Sequence, residues 1–197
     1  MLSELLELDR ELFLFLNSFH APWLDPVMIF VTDKYAWTPL YILLLYLVFK
    51  VFGRDGWIAM VGITLTIVLA DQITSTLMKP YFARLRPSHE PLLQSLIHIV
   101  DGYKGAKYGF ASSHAANTFG AATFFFLLLR KNYKWIGLIF LWAAVATYSR
   151  IYLGVHYPGD IVVGGFVGAL AGYGSFALFR LAKARIDNRR ERLARSQ

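Results

Sequence analysis

Long apolar runs alternate with short polar links along this chain. Trp57 to Met78 is 22 residues long, and only Asp71 and Gln72 interrupt it strongly. Ile161 to Phe179 is 19 residues long and carries no charge. Ala111–Leu129 and Trp135–Leu153 each have the same character, with polar residues gathered at one end. Trp37–Phe52 is shorter, and Lys50 sits near enough to its end to snorkel. A membrane-spanning helix needs about 20 mostly apolar residues. The pattern therefore predicts an all-α transmembrane bundle of five spans. The runs lack the period-2 alternation of a membrane β-barrel.

Ahead of these runs, Leu5, Leu8, Leu12, Phe15, Leu16 and Phe19 recur at near-helical spacing within Leu2–His20. Glu4, Glu7, Asp9, Arg10 and Glu11 make its wet part. This predicts an amphipathic helix lying in the membrane interface. A second short helix is predicted for Leu24–Thr32, after Pro22. The acidic start is a poor fit to a signal peptide. Leu92, Leu93, Leu96, Ile97 and Val100 also have helical spacing, which predicts a short amphipathic helix over the 88–110 link. Gly164, Gly168 and Gly172 form a repeated G-x-x-x-G, expected to serve close packing inside the bundle before a dimer seam. The organisation is thus one domain, 1–197. Residues 1–36 are interfacial, 37–179 form the core and 180–197 a basic tail.

Composition strengthens the membrane reading. Hydrophobic residues make up 56% and charged residues 17%, against about 25% charged in a soluble domain. A disordered chain, a coiled coil and most soluble enzymes are excluded. Cysteine is absent, so no disulfide, thiolate metal site or Cys nucleophile exists. The net charge is +7, and the tail from Arg180 supplies +5 of it. The tail, the Lys50–Arg54 link and the Arg130–Lys134 link fall on one side if five spans alternate. The positive-inside rule makes that side cytoplasmic. Basic charge of this placement calls for anionic lipid and no nucleic-acid partner.

The opposite side collects the chemistry. Lys79 and Arg86 follow the second span, Ser112, Ser113 and His114 open the third, Arg150 ends the fourth, and His156 and Asp160 precede the fifth. Ionisable groups near membrane depth are costly and mark function. Three fixed cations without matching carboxylates suit an oxyanion, most plausibly phosphate. Ser112 adds a hydroxyl donor. Helix starts near residues 112 and 158 aim free N–H groups at an anion, and Pro158 suits a first helical turn. His156 and Asp160 stand at i, i+4, which stacks them on one face if the turn is already helical; the carboxylate then fixes one ring nitrogen and leaves the other to attack. His114 then protonates the leaving oxygen. No metal and no cofactor is required. His89, Glu90, His98 and Asp101 lack any spacing that would fix a metal geometry. Asp71 is expected either to line this pocket or to make a packing hydrogen bond. Arg84 is expected to touch substrate or a headgroup.

These residues resemble the three-part signature of the type 2 phosphatidic acid phosphatase (PAP2) superfamily, a group of membrane lipid phosphatases and soluble vanadium haloperoxidases. The matching parts are Lys79-x6-Arg86-Pro87, Ser112-x-His114 and Ser149-Arg150-x5-His156-x3-Asp160. The resemblance covers about residues 57–180. It implies Lys79, Arg86, Ser112 and Arg150 as phosphate binders, His156 as nucleophile, Asp160 as its partner and His114 as general acid. The usual Pro-Ser-Gly-His reads Ala111-Ser112-Ser113-His114 here, and Ser113 joins the phosphate binders through its backbone N–H. It implies a bacterial inner-membrane enzyme with its site on the periplasmic or extracellular side. The expected substrate is undecaprenyl diphosphate, with lipid A or phosphatidylglycerol phosphate as alternatives. A non-enzymatic carrier of lipid or phosphate is the reading from another class, and an intact His156–Asp160 pair argues against it.

Overall fold

The computed structural model describes residues 2–196; Met1 and Gln197, the ends of the expected domain, lie outside them. The described residues form helices α1 (Leu2–Asn17), α2 (Asp25–Thr32), α3 (Thr38–Phe52), α4 (Gly56–Asp71), α5 (Lys79–Phe82), α6 (Ser113–Leu129), α7 (Ile139–Tyr152) and α8 (Pro158–Arg195). No strand occurs among them. Gly53 closes α3 at φ 52° and ψ −128°, a conformation that only glycine adopts without strain. Beyond α4 the helix widens into a π-turn over Gln72–Met78 before α5.

Among the described residues, three helical stretches are long and apolar enough to cross a membrane: Thr38–Phe82, Lys134–Tyr152 and Pro158–Arg195. Thr38–Phe82 contains the first two expected spans, divided at Gly53. Ser113–Leu129 is apolar but shorter, at 17 residues, or about 25 Å at 1.5 Å per residue. It starts late because Ser112 caps it: the Ser112 hydroxyl accepts the Ala115 N–H at 3.3 Å.

α6 lies at the centre, against α4, α7 and α8. Its tightest neighbour is α8. A Cβ on Gly164, Gly168 or Gly172 would stand 2.4, 2.0 or 2.4 Å from the carbonyl oxygens of Ser112, Ala116 and Gly120. The glycine stripe is therefore a seam inside the bundle, as the sequence suggested. Phe124, Leu129, Ile136 and Val48 fill the core away from the site. At that end Asp55, in the α3–α4 link, pairs with Arg190 at 2.7 Å and Lys183 at 3.1 Å. The basic tail and this link thus share one end of the bundle.

α1 and α2 lie across the other end. Phe13 is buried edge-on against Tyr157, ring centroids 5.4 Å apart. Asn17 is buried and donates to the Ile151 and Tyr152 carbonyls at 3.0 and 2.9 Å. Leu5, Leu8, Leu12 and Phe15 stay exposed on the outward face, which suits contact with lipid.

The 88–110 link departs from expectation. It forms no α-helix, only 3-10 turns at Pro87–His89, Pro91–Leu93 and Val100–Gly102. Pro91 heads only a single 3-10 turn. Asn17 also captures the backbone of His98, accepting its N–H at 2.7 Å and donating to its C=O at 3.2 Å. Those groups are then taken from any helical ladder. Leu93 and Val100 are buried, while Leu92 and Leu96 point outward.

Candidate active site

Each expected site residue sits at a helix end or in a link on the α1–α2 side of the bundle. The π-turn fixes the first. Asp71, Ser75 and Lys79 follow at intervals of four, and Ser75 donates to Asp71 at 3.0 Å. Lys79 Nζ donates to the hydroxyls of Ser75 (3.3 Å) and Ser113. Asp71 therefore belongs to the polar chain that holds Lys79. Ser113 takes part through its side chain; its hydroxyl is also 2.7 Å from that of Ser75. This differs from the backbone role expected of it. Ser75 was missed, although its i, i+4 relation to both Asp71 and Lys79 was legible.

Asp160 is fully buried, and His156 is 2% exposed. His156 Nδ1 lies 3.1 Å from Asp160 Oδ2, and the same oxygen accepts the Tyr157 N–H at 3.1 Å. Asp160 therefore caps α8 and orients the imidazole at once. The Asp160 carbonyl also accepts the Ser112 N–H at 3.0 Å, joining the starts of α6 and α8. Burial, then the charges of Arg86, Arg150 and Lys79, push His156 well below the usual imidazole range. The ring is thus neutral, with Nε2 carrying a lone pair when Nδ1 donates to Asp160.

The cations are held from one side only. Arg86 Nε donates to the Tyr108 carbonyl at 3.1 Å. Arg150 donates to Thr32 Oγ1 at 2.7 Å and to the Tyr103 hydroxyl at 3.2 Å. Thr32 and Tyr103 carried no sequence signal, because each reaches Arg150 from a distant segment. Arg86 Nη1, Arg150 Nε and His114 Nε2 are buried and have no hydrogen-bond partner. An unmet buried donor costs about 1–3 kcal/mol. Two guanidinium donors and an imidazole left unmet near His156 are the arrangement expected of an oxyanion binder. Gly109 lets the backbone close over it, since a Cβ there would lie 3.0 Å from both Arg86 Cγ and Asp160 Oδ2.

Arg84 is held by two carboxylates. It pairs with Asp160 at 3.0 Å and with Asp9 of α1 at 2.8 Å. His98 pairs with Asp25 at 2.8 Å and stacks on His20. An apolar groove of about 370 Å³ starts at His114 and runs between α3, α4, α6 and α7, past Asn117, Trp142, Tyr41 and Phe125. It has the lining of a hydrocarbon site.

A membrane helical bundle with a buried histidine–carboxylate pair beside cations that have no carboxylate partner among the described residues suits a phosphate-handling membrane protein. Residues 57–184 match the family model of the PAP2 superfamily, and the chain belongs to that superfamily. It is 39% identical over 191 residues to a lipid A 4'-phosphatase of Bacteroides thetaiotaomicron, covering 95% of this chain and 84% of that one. It is 30% identical over 164 residues to an undecaprenyl-diphosphatase of Sulfolobus acidocaldarius, covering 81% and 72%. The crystal structure of Aquifex aeolicus LpxE superposes with a TM-score of 0.62 at 27% identity, over 86% of this chain and 95% of that one. The protein is accordingly a membrane lipid phosphatase, which displaces the carrier reading.

The Arg150 geometry makes one prediction here. Arg150→Lys keeps the charge but cannot reach both Thr32 and Tyr103 while presenting a donor to phosphate. Steady-state assays should find kcat/KM lower by about 100-fold. A loss under threefold would remove Arg150 from the phosphate site.

Proposed function

We propose that this protein removes the 4'-phosphate of lipid A at the extracytoplasmic face, through a phosphohistidine. The sequence reading put undecaprenyl diphosphate first and lipid A second. The similarity favours the second, and one observation carries it. The match to the Bacteroides lipid A 4'-phosphatase is 39% identical and covers 95% of this chain, so it takes in α2 and at least part of α1, outside the family region of 57–184. Those two helices lie across the end of the bundle that holds the site.

In the proposed mechanism Lys79, Arg86, Arg150 and the Ser112 end of α6 bind the phosphate. His156 Nε2 attacks phosphorus as its Nδ1–H leans on Asp160. The P–N bond forms, the P–O bond to the sugar breaks, and His114 donates a proton to the departing oxygen. His114 then takes a proton from water, which attacks phosphorus and frees orthophosphate and His156. The cations supply the charge stabilisation a metal would otherwise give. The groove beside His114 supports an acyl-chain subsite. The five-span topology, with the basic tail cytoplasmic and residues 1–36 outside, is part of the same proposal and is supported by the shared end of the tail and the α3–α4 link.

The test is phosphate release from detergent-solubilised protein in EDTA, with lipid A, undecaprenyl diphosphate, phosphatidylglycerol phosphate and phosphatidic acid side by side. Lipid A should exceed the others in kcat/KM by about tenfold or more, a difference of one or two well-placed contacts. Preference for undecaprenyl diphosphate would restore the first reading. Loss of all activity in EDTA would sink the metal-free mechanism.

A further inference from the structure

We propose that Asp9 and Arg84 are positioning residues for the nucleophile: Asp9 of α1 clamps Arg84, Arg84 clamps Asp160, and Asp160 aims His156. The inference rests on His156 being the nucleophile. It brings the N-terminal helix, which lies outside the family match of 57–184, into the catalytic apparatus.

The geometry is a continuous chain of short contacts. Arg84 Nη1 is 3.0 Å from Asp160 Oδ1, and Nη2 is 2.8 Å from Asp9 Oδ2. The two carboxylates thus occupy two prongs of one planar guanidinium. Tyr157 lies beneath it, 3.9 Å from ring centroid to guanidinium carbon, which resists tilting. The second Asp9 oxygen accepts the Gly159 N–H at 2.7 Å. That N–H belongs to the first turn of α8, where no helical partner exists for it. Asp9 is therefore indexed to the same turn that carries Asp160. Gly159 makes this approach possible, because a Cβ there would stand 2.8 Å from Asp9 Oδ2.

The consequence for the nucleophile follows from how Asp160 is shared. Its Oδ2 serves His156 and the Tyr157 N–H, and Oδ1 serves Arg84. With both oxygens held, the carboxylate plane cannot rotate, and the imidazole keeps its aim at phosphorus. Arg84 released from Asp9 can swing on its stem and draw Asp160 with it. A displacement of about 1 Å at a reacting group costs on the order of 100-fold in rate. Phosphate binding depends on other residues, so it is untouched.

The experiment is steady-state hydrolysis of lipid A in detergent micelles, with orthophosphate as a competing product, for Asp9→Asn, Asp9→Glu, Arg84→Gln and Arg84→Lys. Thermal unfolding establishes that each variant is folded, and isosteric Asp9→Asn is the least disruptive. Asp9→Asn should lower kcat about tenfold and Arg84→Gln about 100-fold, with KM and phosphate inhibition within about twofold of wild type. Asp9→Glu and Arg84→Lys should each recover part of the loss. Wild-type kcat in Asp9→Asn and Arg84→Gln would overturn the proposal. So would a fall in kcat matched by weaker phosphate inhibition, or no recovery in the conservative variants, since either marks a general loosening of the site. His156→Ala run alongside distinguishes failure of the nucleophile assignment from failure of the relay. If it remains active, the nucleophile assignment has failed; if it is dead while Asp9→Asn and Arg84→Gln are unaffected, only the relay has failed.

Discussion

His156→Ala should hold lipid phosphate and turn it over at least about 10⁴-fold more slowly than wild type, the scale of loss when a nucleophile is removed. Lys79, Arg86 and Arg150 reach the proposed phosphate site from α5, the following link and α7, and among the described contacts none is held in place by His156. Their polar contacts run to Ser75 and Ser113, to the Tyr108 carbonyl, and to Thr32 and Tyr103. In the proposed mechanism, deleting the imidazole removes the group that would form the P–N bond and leaves the cations where they are. Orthophosphate should accordingly inhibit wild type and protect His156→Ala from thermal unfolding at similar concentrations. A second readout comes from the intermediate itself. Wild type quenched in base during turnover of labelled lipid A should retain label that acid releases, and His156→Ala should retain none. Near-wild-type turnover in the variant would remove His156 from the role.

The second large effect is structural. Gly168→Ala should destabilise the protein by about 3 kcal/mol, because overpacking a rigid seam forces backbone apart. The new Cβ would sit 2.0 Å from the Ala116 carbonyl oxygen and 2.7 Å from its carbon. Both are backbone atoms of α6, so no side chain can rotate to make room. The two helices must separate, and the starts of α6 and α8 carry His114 and Asp160. The midpoint of thermal unfolding in detergent should fall by about 6–12 °C for a chain of this size, and activity should fall with it. Gly174→Ala is the matched control. It lies on the same helix with nothing within 4 Å of a new Cβ, so the better helix propensity of alanine should leave stability equal or raised by about 0.5–1 kcal/mol. Equal midpoints for the two variants would show that α6 and α8 are not packed this closely.

The site was legible to the extent that its partners lie within a few residues of one another. His156 and Asp160 stand four apart, and so do Asp71, Ser75 and Lys79. Spacing of that kind is written directly into sequence, although His156 stands just before α8 and meets Asp160 because that carboxylate caps the helix. The apolar runs were legible for a related reason: the hydrocarbon core requires a minimum length of unbroken apolar chain. The 88–110 link was misread by the same logic. Its leucines have helical spacing, but spacing does not report that Asn17 takes the backbone groups of His98.

What the sequence determined by itself was therefore the make-up of the candidate site: three cations, two histidines and a carboxylate, placed near the ends of apolar runs. Their types and local spacing suffice for that, since charge, nucleophilicity and helix period are properties of short segments. What only the tertiary structure decided was how that chemistry is held. Asp9 reaches Gly159 across 150 residues, Thr32 reaches Arg150 across 118, and Gly168 meets the backbone of Ala116. No periodicity encodes such contacts. They exist because burying a polar group demands a partner and packing two helices demands room, and both demands are met only when the whole chain is folded.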